Sequence, residues 1–250
     1  MTGVRRVDQS PAGNGIILPV QSSVSASPPP DDQLQAVMFD MDGVLVNSEP
    51  LWFQAETEVM ARLGGSWNEG DQHVLVGGSM AVTVAYLLEK GTRRADPAVV
   101  ESWLTQSMIE MLTTRPLPVM PGARELVAEV AAAGLPYGLV TSSERVIMDA
   151  VLAGFGPPFP VTICAEDVSV CKPDPEGYLL GAQKLAVDPR RCVVIEDSRN
   201  GIAAAEAAGC VVVAVPGMVP VPVLPGRLVV QSLTELSVAR LRAEFAGLRQ

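Results

Sequence analysis

Short apolar runs alternate with amphipathic stretches along most of this chain, starting at Gln35. The apolar runs have the length of buried strands and cover residues 36–39, 135–140, 161–164, 192–195 and 211–215. Stretches with helical spacing separate them, over residues 123–133, 146–152, 177–185 and 202–208. Strands that are apolar on both faces need cover on both sides, and alternation with helices supplies it. The pattern therefore predicts a doubly wound, mostly parallel α/β sheet.

One long stretch between the first and second predicted strands interrupts this alternation. It contains segments of helical spacing at 51–63, 80–90 and 97–112 and no convincing strand. The predicted fold is therefore a Rossmann-like sheet with a helical cap inserted after the first strand. Such an insert would lie over the carboxyl edge of the sheet, where open α/β sheets bind their ligands.

Three regions follow from this reading of the chain. We expect an α/β core over residues 35–49 and 118–250 and a helical cap over residues 50–117. Residues 1–34 are rich in Ser, Pro, Gly and Gln and lack periodicity, which predicts a disordered tail. An overlong start-site assignment would explain the same residues, and the sequence does not separate the two.

Composition narrows the classes of function. The chain has 28 acidic and 18 basic side chains, a formal charge of −10, and no block of Lys or Arg, which argues against nucleic acid or an anionic membrane surface as the partner. Its single histidine, His73, excludes a multi-histidine metal site. The four cysteines form no C-x-x-C pair, so we expect free thiols and a cytoplasmic location. The expected partner is a small metabolite, bound by a monomer.

The first predicted strand runs directly into Asp40-Met41-Asp42-Gly43. Two carboxylates two residues apart project to the same side of an extended chain. A calcium-binding loop would need an oxygen ligand at Val44 and a later Glu, so that alternative fails. A chance Asp-x-Asp-Gly turn stays possible for this motif alone.

Two further motifs follow the second and third strands. Thr141-Ser142-Ser143 precede a predicted helix, and hydroxyls with free N–H groups at a helix N-terminus bind anions. An ordinary helix cap by Ser142 or Ser143 is the alternative. Lys172 follows the third strand and would bring one positive charge to the same edge, although a lone lysine is usually solvated.

Glu196-Asp197 end the fourth strand. Paired carboxylates there are costly to bury unless they are paired or bind a cation. A ligand set of oxygen atoms alone favours a hard ion such as Mg²⁺. The alternative is the ordinary preference of a helix N-terminus for acidic residues.

These motifs together define a charge problem. Asp40, Asp42, Glu196 and Asp197 carry four negative charges against one positive charge on Lys172, which leaves −3. A phosphate dianion would not be attacked readily in that field. Mg²⁺ brings the charge to −1, and a proton on Asp42 brings it to zero. The set therefore predicts a metal-dependent phosphoryl-transfer site.

The same motifs, in this order and spacing, resemble the haloacid-dehalogenase-like (HAD) superfamily over the chain from Gln35 onward. Residues 42–52, followed by a helical insertion, are similar to the branch that holds β-phosphoglucomutase and sugar-phosphate phosphatases. Within that branch, hexitol and 2-deoxyglucose-6-phosphate phosphatases share this stretch most clearly.

The resemblance implies a role for each motif. Asp40 would be the nucleophile that forms an aspartyl-phosphate, and Asp42 would serve as general acid and base. Thr141 and Lys172, together with the Ser142 hydroxyl, would hold the phosphoryl group. Mg²⁺ would be bound by Asp40, the Asp42 backbone carbonyl and Asp197. Glu196 would be a further ligand or would lie behind the ligands. The cap would close and exclude water.

Residues in the predicted cap distinguish two candidate activities, a phosphatase and a mutase. Mutase relatives carry a histidine about one turn after the Ser-Glu run, where this chain has Trp52, so a phosphatase is favoured. Gly78 and Ser79 resemble a loop that contacts substrate, although a turn and a helix cap explain them equally well. We therefore predict a Mg²⁺-dependent phosphatase acting on small sugar or polyol phosphates, with β-phosphoglucomutase as the alternative.

Overall fold

The computed structural model describes residues 33–215, 217 and 221–248. The predicted disorder of the tail therefore falls almost entirely on residues outside the described ones. Leu34, at the end of the predicted tail, is buried in the core.

The described strands form one parallel sheet. They are β1 (Ala36–Phe39), β2 (Tyr137–Val140), β3 (Val161–Ile163), β4 (Cys192–Glu196), β5 (Val211–Ala214) and β6 (Arg227–Val229). Their order is β3-β2-β1-β4-β5-β6, and every neighbouring pair is parallel. The order confirms the predicted doubly wound fold. The sequence pattern missed β6, because three half-buried residues are too few to show a period.

Helices connect the strands and form the insert. The insert contains α1 (Glu49–Arg62), α2 (Glu69–Leu75), α3 (Met80–Lys90) and α4 (Pro97–Thr114). The helices that follow are α5 (Ala123–Ala132), α6 (Arg145–Phe155), α7 (Glu176–Lys184), α8 (Arg199–Ala207) and α9 (Val238–Leu248). Of these, α2 and α9 were not predicted. Gly134 and Gly209, with φ of +67° and +84°, follow α5 and α8 in the left-handed conformation that is common for glycine at the end of a helix.

The central strands bury both faces, as their apolar sequences require. Val37 and Phe39 of β1 belong to one apolar cluster, with residues of α5, α6, α9 and the insert. Ala36 and Met38, the alternate residues of the same strand, belong to a second cluster with residues of α7 and α8. This alternation with a period of two places one helical layer on each side of the sheet.

The insert leaves and rejoins the sheet layer at one place. The Asn47 N–H donates to the Pro118 carbonyl at 2.7 Å, and the Met120 N–H donates to the Leu45 carbonyl at 2.9 Å. Within the insert, α4 packs against α1 and α3, and it also contacts α6. These hydrogen bonds lie close to the predicted limits of the cap, residues 50–117, which stay a prediction as domain boundaries.

All four cysteines are free thiols, as the absence of paired spacing predicted. None of the helices in the described ranges has both the length and the apolar character needed to cross a bilayer.

Replacement of Leu104 tests how firmly the insert packs. Leu104 lies on α4 with 0% of its surface exposed, so Leu104→Ala should lower the free energy of unfolding by about 2–5 kcal/mol. Urea denaturation gives this value. Val99→Ala, at a position 42% exposed on the same helix, should change it by less than about 0.5 kcal/mol. Equal effects of the two variants would contradict the packing of α4 described above.

Candidate active site

The carboxyl ends of the central strands bring the predicted site residues together. Asp40 follows β1, Thr141 follows β2 and Glu196 ends β4. Lys172, in the loop between β3 and α7, donates through Nζ to Asp40 Oδ1 at 2.5 Å, to Glu196 Oε1 at 2.7 Å and to the Val140 carbonyl at 2.9 Å. The strand order reverses at β1, which has β2 on one side and β4 on the other, and such a switch point opens a crevice at the carboxyl edge of the sheet.

Lys172 is a buried cation rather than a solvated surface lysine. Its side chain is 7% exposed. Burial lowers the pKa of Lys172, but the adjacent carboxylates of Asp40 and Glu196 raise it above its ordinary value. The Tyr178 ring lies beneath the ammonium, with its centroid 5.0 Å from Nζ. Lys172 therefore stays charged. It links the loop between β3 and α7 to the carboxyl ends of β1 and β4.

Glu196 is fully buried, and both of its carboxylate oxygens accept hydrogen bonds. Oε1 accepts from Lys172 and from the Tyr178 hydroxyl, at 2.7 and 2.8 Å. Oε2 accepts from the Asp197 and Ser198 N–H groups and from Ser198 Oγ, at 3.0–3.1 Å. A Cβ on Gly201 would lie 1.6 Å from Oε1, so glycine is required where α8 begins.

Asp197 differs from Glu196 because its carboxylate accepts no hydrogen bond from the described part of the chain, although the residue is only 5% exposed. Gly43, with φ of +77°, passes so close that a Cβ there would lie 1.9 Å from Asp197 Oδ2. Carboxylate oxygens of Asp40, Glu196 and Asp197 lie within 4.8 Å of one another. A buried donor set made of carboxylate oxygens alone fits a hard divalent cation.

The pKa shifts of these carboxyl groups also favour a cation at this place. Burial raises the pKa of Asp40 well above its usual range; Glu196 raises it further and Lys172 lowers it. Burial likewise raises the pKa of Asp197, and the charges of Glu196 and Asp40 add to the shift. A cation among these groups would reverse both shifts, because it favours the ionised carboxylates.

Asp42 is held by four side-chain donors. Ser48 Oγ and Trp52 Nε1 donate to its Oδ1 at 2.5 and 3.3 Å. Ser143 Oγ and Thr141 Oγ1 donate to its Oδ2 at 2.7 and 3.4 Å. Asp42 is thus held by hydrogen bonds from two sides, from residues at the start of the insert and from the loop after β2.

The loop after β2 does not cap the next helix through a serine. α6 begins at Arg145, and its N-cap residue Glu144 makes no side-chain cap bond. The Arg145 N–H donates instead to the Glu166 carboxylate, at 2.9 and 3.0 Å. The alternative reading of Ser142 or Ser143 as a helix cap is therefore wrong. Thr141 Oγ1 accepts from the Ser143 N–H at 3.0 Å, and the buried Ser142 Oγ has no hydrogen-bond partner within the described ranges.

A pocket of about 760 Å³, counted to its open mouth, lies between the strand ends and the insert. It is lined from the sheet side by Asp40, Asp42, Thr141, Ser142, Ser143, Glu144, Lys172, Asp197 and Ser198, and from the insert by Glu49, Trp52, Glu56, Gln72, Leu75, Val76, Gly77, Gly78, Met80 and Thr83.

Among the predicted cap contacts, Trp52 and Gly78 line this pocket. Ser79 is not among its described lining residues; it occupies the N-cap position of α3 without a side-chain cap bond. The neighbouring Gly77 carbonyl accepts from Asn200 Nδ2 at 2.9 Å. This hydrogen bond joins the turn before α3 to the start of α8.

Sequence reasoning missed Tyr178, Ser48, Gln72 and the two glutamates of α1 that line the pocket. Tyr178 lies on the apolar face of α7 and reads as core. Ser48 precedes α1 and reads as a cap, although it makes no cap bond. For Glu49 and Glu56, the separation of seven residues, which repeats one helix face, was the available signal.

Comparisons with known proteins give a consistent result. A family model described as haloacid dehalogenase-like hydrolase matches residues 34–209. Hexitol phosphatase B of Escherichia coli K12 is 38% identical over 189 residues, which cover 74% of this chain and 84% of that protein. Hexitol phosphatase A of the same organism is 35% identical over 205 residues, covering 81% and 93%.

A solved structure has a similar fold. CbbY from Rhodobacter sphaeroides, a point mutant in complex with xylulose-(1,5)bisphosphate, superposes with a TM-score of 0.75 at 28% identity. The match covers 81% of this chain and 96% of the CbbY chain.

The Tyr178 hydroxyl offers a direct test of how the buried Glu196 is supported. Tyr178→Phe should lower the free energy of unfolding by about 1.5–3 kcal/mol, because it removes a hydrogen bond to a buried charged acceptor. Urea denaturation at pH 7 gives the value. Tyr137→Phe is the matched control, because its hydroxyl donates to the neutral Pro158 carbonyl at 2.9 Å and should cost about 1 kcal/mol. A cost for Tyr178→Phe no larger than this control would argue against a buried, ionised Glu196.

Proposed function

Because the chain belongs to the haloacid dehalogenase-like hydrolase family, we propose that it is a Mg²⁺-dependent phosphatase of small sugar or polyol phosphates. The observation that carries the proposal is the contact of the buried Lys172 with both Asp40 and Glu196, beside the half-buried Asp42. The relatives support the substrate class, since two are named hexitol phosphatases.

In the proposed first step, the Asp40 carboxylate attacks phosphorus and the bond from phosphorus to the substrate oxygen breaks. Lys172 fixes Asp40 Oδ1 and so sets the direction of the other oxygen. The product is an aspartyl-phosphate together with the free alcohol.

Asp42 acts as the general acid in the first step and as the general base in the second. It gives one to the oxygen of the departing alcohol, and as a carboxylate it then takes one from the water that attacks the aspartyl-phosphate. Phosphate is released and Asp40 is restored. The hydrogen bonds from Ser48, Trp52 and Ser143 hold Asp42 in position, and acid–base help of this kind is worth roughly 10²–10⁴ in rate.

The phosphoryl group would be bound by Lys172, Thr141 and Ser142. All three line the pocket, and Ser142 Oγ is a buried hydroxyl that the described residues leave unsatisfied. A phosphoryl oxygen would satisfy it. Charge-assisted contacts from the lysine and neutral contacts from the hydroxyls would together stabilise the transferring group.

The proposed metal ligands are the carboxylates of Asp40 and Asp197 and the backbone carbonyl of Asp42. Both oxygens of Glu196 already accept hydrogen bonds, so we place Glu196 behind the ligands as the residue that orients Lys172. When bound, Mg²⁺ would neutralise part of the negative charge that faces an anionic substrate.

The mutase alternative needs a second phosphoryl acceptor held in place of water. At the position where mutase relatives carry a histidine, Trp52 donates to Asp42, and histidine is absent from the described lining of the pocket. These observations favour water as the acceptor, and with it a phosphatase.

We also propose that residues 50–117 act as a cap that closes the pocket during formation of the aspartyl-phosphate. The four unpaired cysteines support the proposal of a reducing, cytoplasmic location. The monomeric state and the absence of a nucleic-acid partner stay predictions.

Asp40→Asn should abolish phosphate release. The amide cannot act as the nucleophile, so kcat for glucitol 6-phosphate should fall by at least about three orders of magnitude, measured by release of inorganic phosphate. Circular dichroism should show an unchanged fold. Asp149→Asn, at an exposed position on α6, should retain full activity.

Two results would contradict this proposal. Substantial activity in Asp40→Asn would remove the nucleophile assignment. Conversion of β-glucose 1-phosphate into glucose 6-phosphate faster than into glucose and phosphate would identify the wild-type protein as a mutase.

Removal of the metal should silence the enzyme. EDTA should abolish phosphate release and added Mg²⁺ should restore it, because an anionic substrate otherwise meets uncompensated carboxylates. Asp197→Asn should raise the Mg²⁺ concentration needed for half-maximal activity at least about tenfold. Activity indifferent to chelation would refute the metal site.

A further inference from the structure

The wall of the pocket formed by the insert carries polar groups that the proposed chemistry does not use. Glu49 and Glu56 lie on α1, two turns apart, and both line the pocket. Gln72 of α2 donates through Nε2 to the Glu49 carbonyl at 2.7 Å and to Glu49 Oε2 at 3.1 Å. These contacts hold the Gln72 side chain against Glu49 on the insert side of the pocket.

Glu56 is the most unusual member of this group. It is only 3% exposed, yet its Oε2 has no hydrogen-bond partner among the described residues. Trp67 Nε1 approaches it and lowers its pKa slightly, but the two do not reach hydrogen-bond geometry. A buried carboxyl oxygen without a donor is costly, and a ligand hydroxyl in the pocket would offset that cost.

The charges around the pocket restrict what such a ligand can be. Among its described lining residues, carboxyl groups belong to Asp40, Asp42, Glu49, Glu56, Glu144 and Asp197, and Lys172 carries the basic side chain. Lys172 lies at the strand ends and is engaged by Asp40 and Glu196. The insert side therefore offers no described lining cation to a second phosphate or to a carboxylate of the substrate.

We propose that Glu56, with Glu49 and Gln72, forms a hydroxyl-binding subsite that selects polyol or sugar monophosphates and rejects bisphosphates and phosphorylated acids. The inference rests on the proposed phosphatase activity and specifies the part of the substrate that leaves. Glu56 acts here as a specificity residue: it contacts the hydroxyls of the leaving alcohol and not the phosphorus.

The protonation of Glu56 suits this role. Burial, followed by the charge of Glu49, raises the pKa of Glu56 to about 8. At neutral pH the carboxyl group is then largely protonated, so it both donates to and accepts from a hydroxyl. A negatively charged group of the substrate beside Glu56 would raise the free energy of the ionised Glu56 carboxylate further.

The experiment compares kcat/KM for three substrates: glucitol 6-phosphate, fructose 1,6-bisphosphate and p-nitrophenyl phosphate, whose leaving group has no sugar hydroxyls. The wild type should prefer glucitol 6-phosphate to the bisphosphate at least about tenfold. Glu56→Leu should lower the ratio of glucitol 6-phosphate to p-nitrophenyl phosphate at least about tenfold, since a site built to bond a hydroxyl discriminates strongly. Glu56→Gln keeps the shape and one donor and should lose less. Glu58→Leu, at an exposed position on the same helix, should leave the ratio unchanged.

Binding of glucitol 6-phosphate to Asp40→Asn, measured by calorimetry with and without Glu56→Leu, tests the subsite without turnover. Weaker binding to the variant that carries both Asp40→Asn and Glu56→Leu than to Asp40→Asn alone supports the subsite, even where the proposed reaction fails. Wild-type protein that turns over none of the three substrates would refute the proposed reaction and leave the subsite to the binding experiment. An unchanged substrate ratio in both Glu56 variants, or equal losses on both monophosphates, would overturn the subsite and assign Glu56 a structural role beside Trp67. Faster turnover of phosphoethanolamine than of glucitol 6-phosphate would also overturn it, because an ammonium would then be the preferred ligand.

Discussion

The contact between Lys172 and the two carboxylates of Asp40 and Glu196 is the interaction on which the site depends. It joins the ends of β1 and β4 to the loop after β3, and through the Val140 carbonyl it also reaches β2. A buried ion pair of this kind is a weak source of stability, because desolvation offsets most of the attraction. Its value here is positional, since it fixes Asp40 against a charge that also suits a phosphoryl group.

Glycine makes this crowded arrangement possible. At Gly43 and Gly201 a side chain would collide with Asp197 and Glu196 respectively, so the backbone itself forms part of the wall around the carboxylates. The close approach leaves Glu196 fully hydrogen-bonded and Asp197 without a donor in the described chain. In the proposed function, this difference assigns Glu196 to the orientation of Lys172 and Asp197 to the binding of a cation.

The excess of carboxyl groups extends from the strand ends into the insert. A phosphate group would enter such a pocket only where its charge is compensated. Lys172 lies at the strand ends, where the proposed cation would also bind. The insert side, with Glu49, Glu56 and Gln72, suits the uncharged hydroxyls of a sugar or polyol. A substrate with one phosphate group and several hydroxyl groups would thus match the charges of this pocket. The formal charge of the chain, −10, provides no long-range attraction for an anion.

The sequence by itself determined the sheet, its parallel arrangement and the positions of Asp40, Asp42, Thr141, Lys172, Glu196 and Asp197 at the strand ends, because buried strands and the polar residues that follow them are local patterns. Only the tertiary structure decided which groups meet. Ser143 bonds to Asp42 rather than capping α6, and Tyr178 supports Glu196 from a helix face that reads as core. Glu56 lines the pocket from the middle of α1. These contacts join residues far apart in the chain, and no local periodicity encodes the partner of a side chain that the fold brings in from another element.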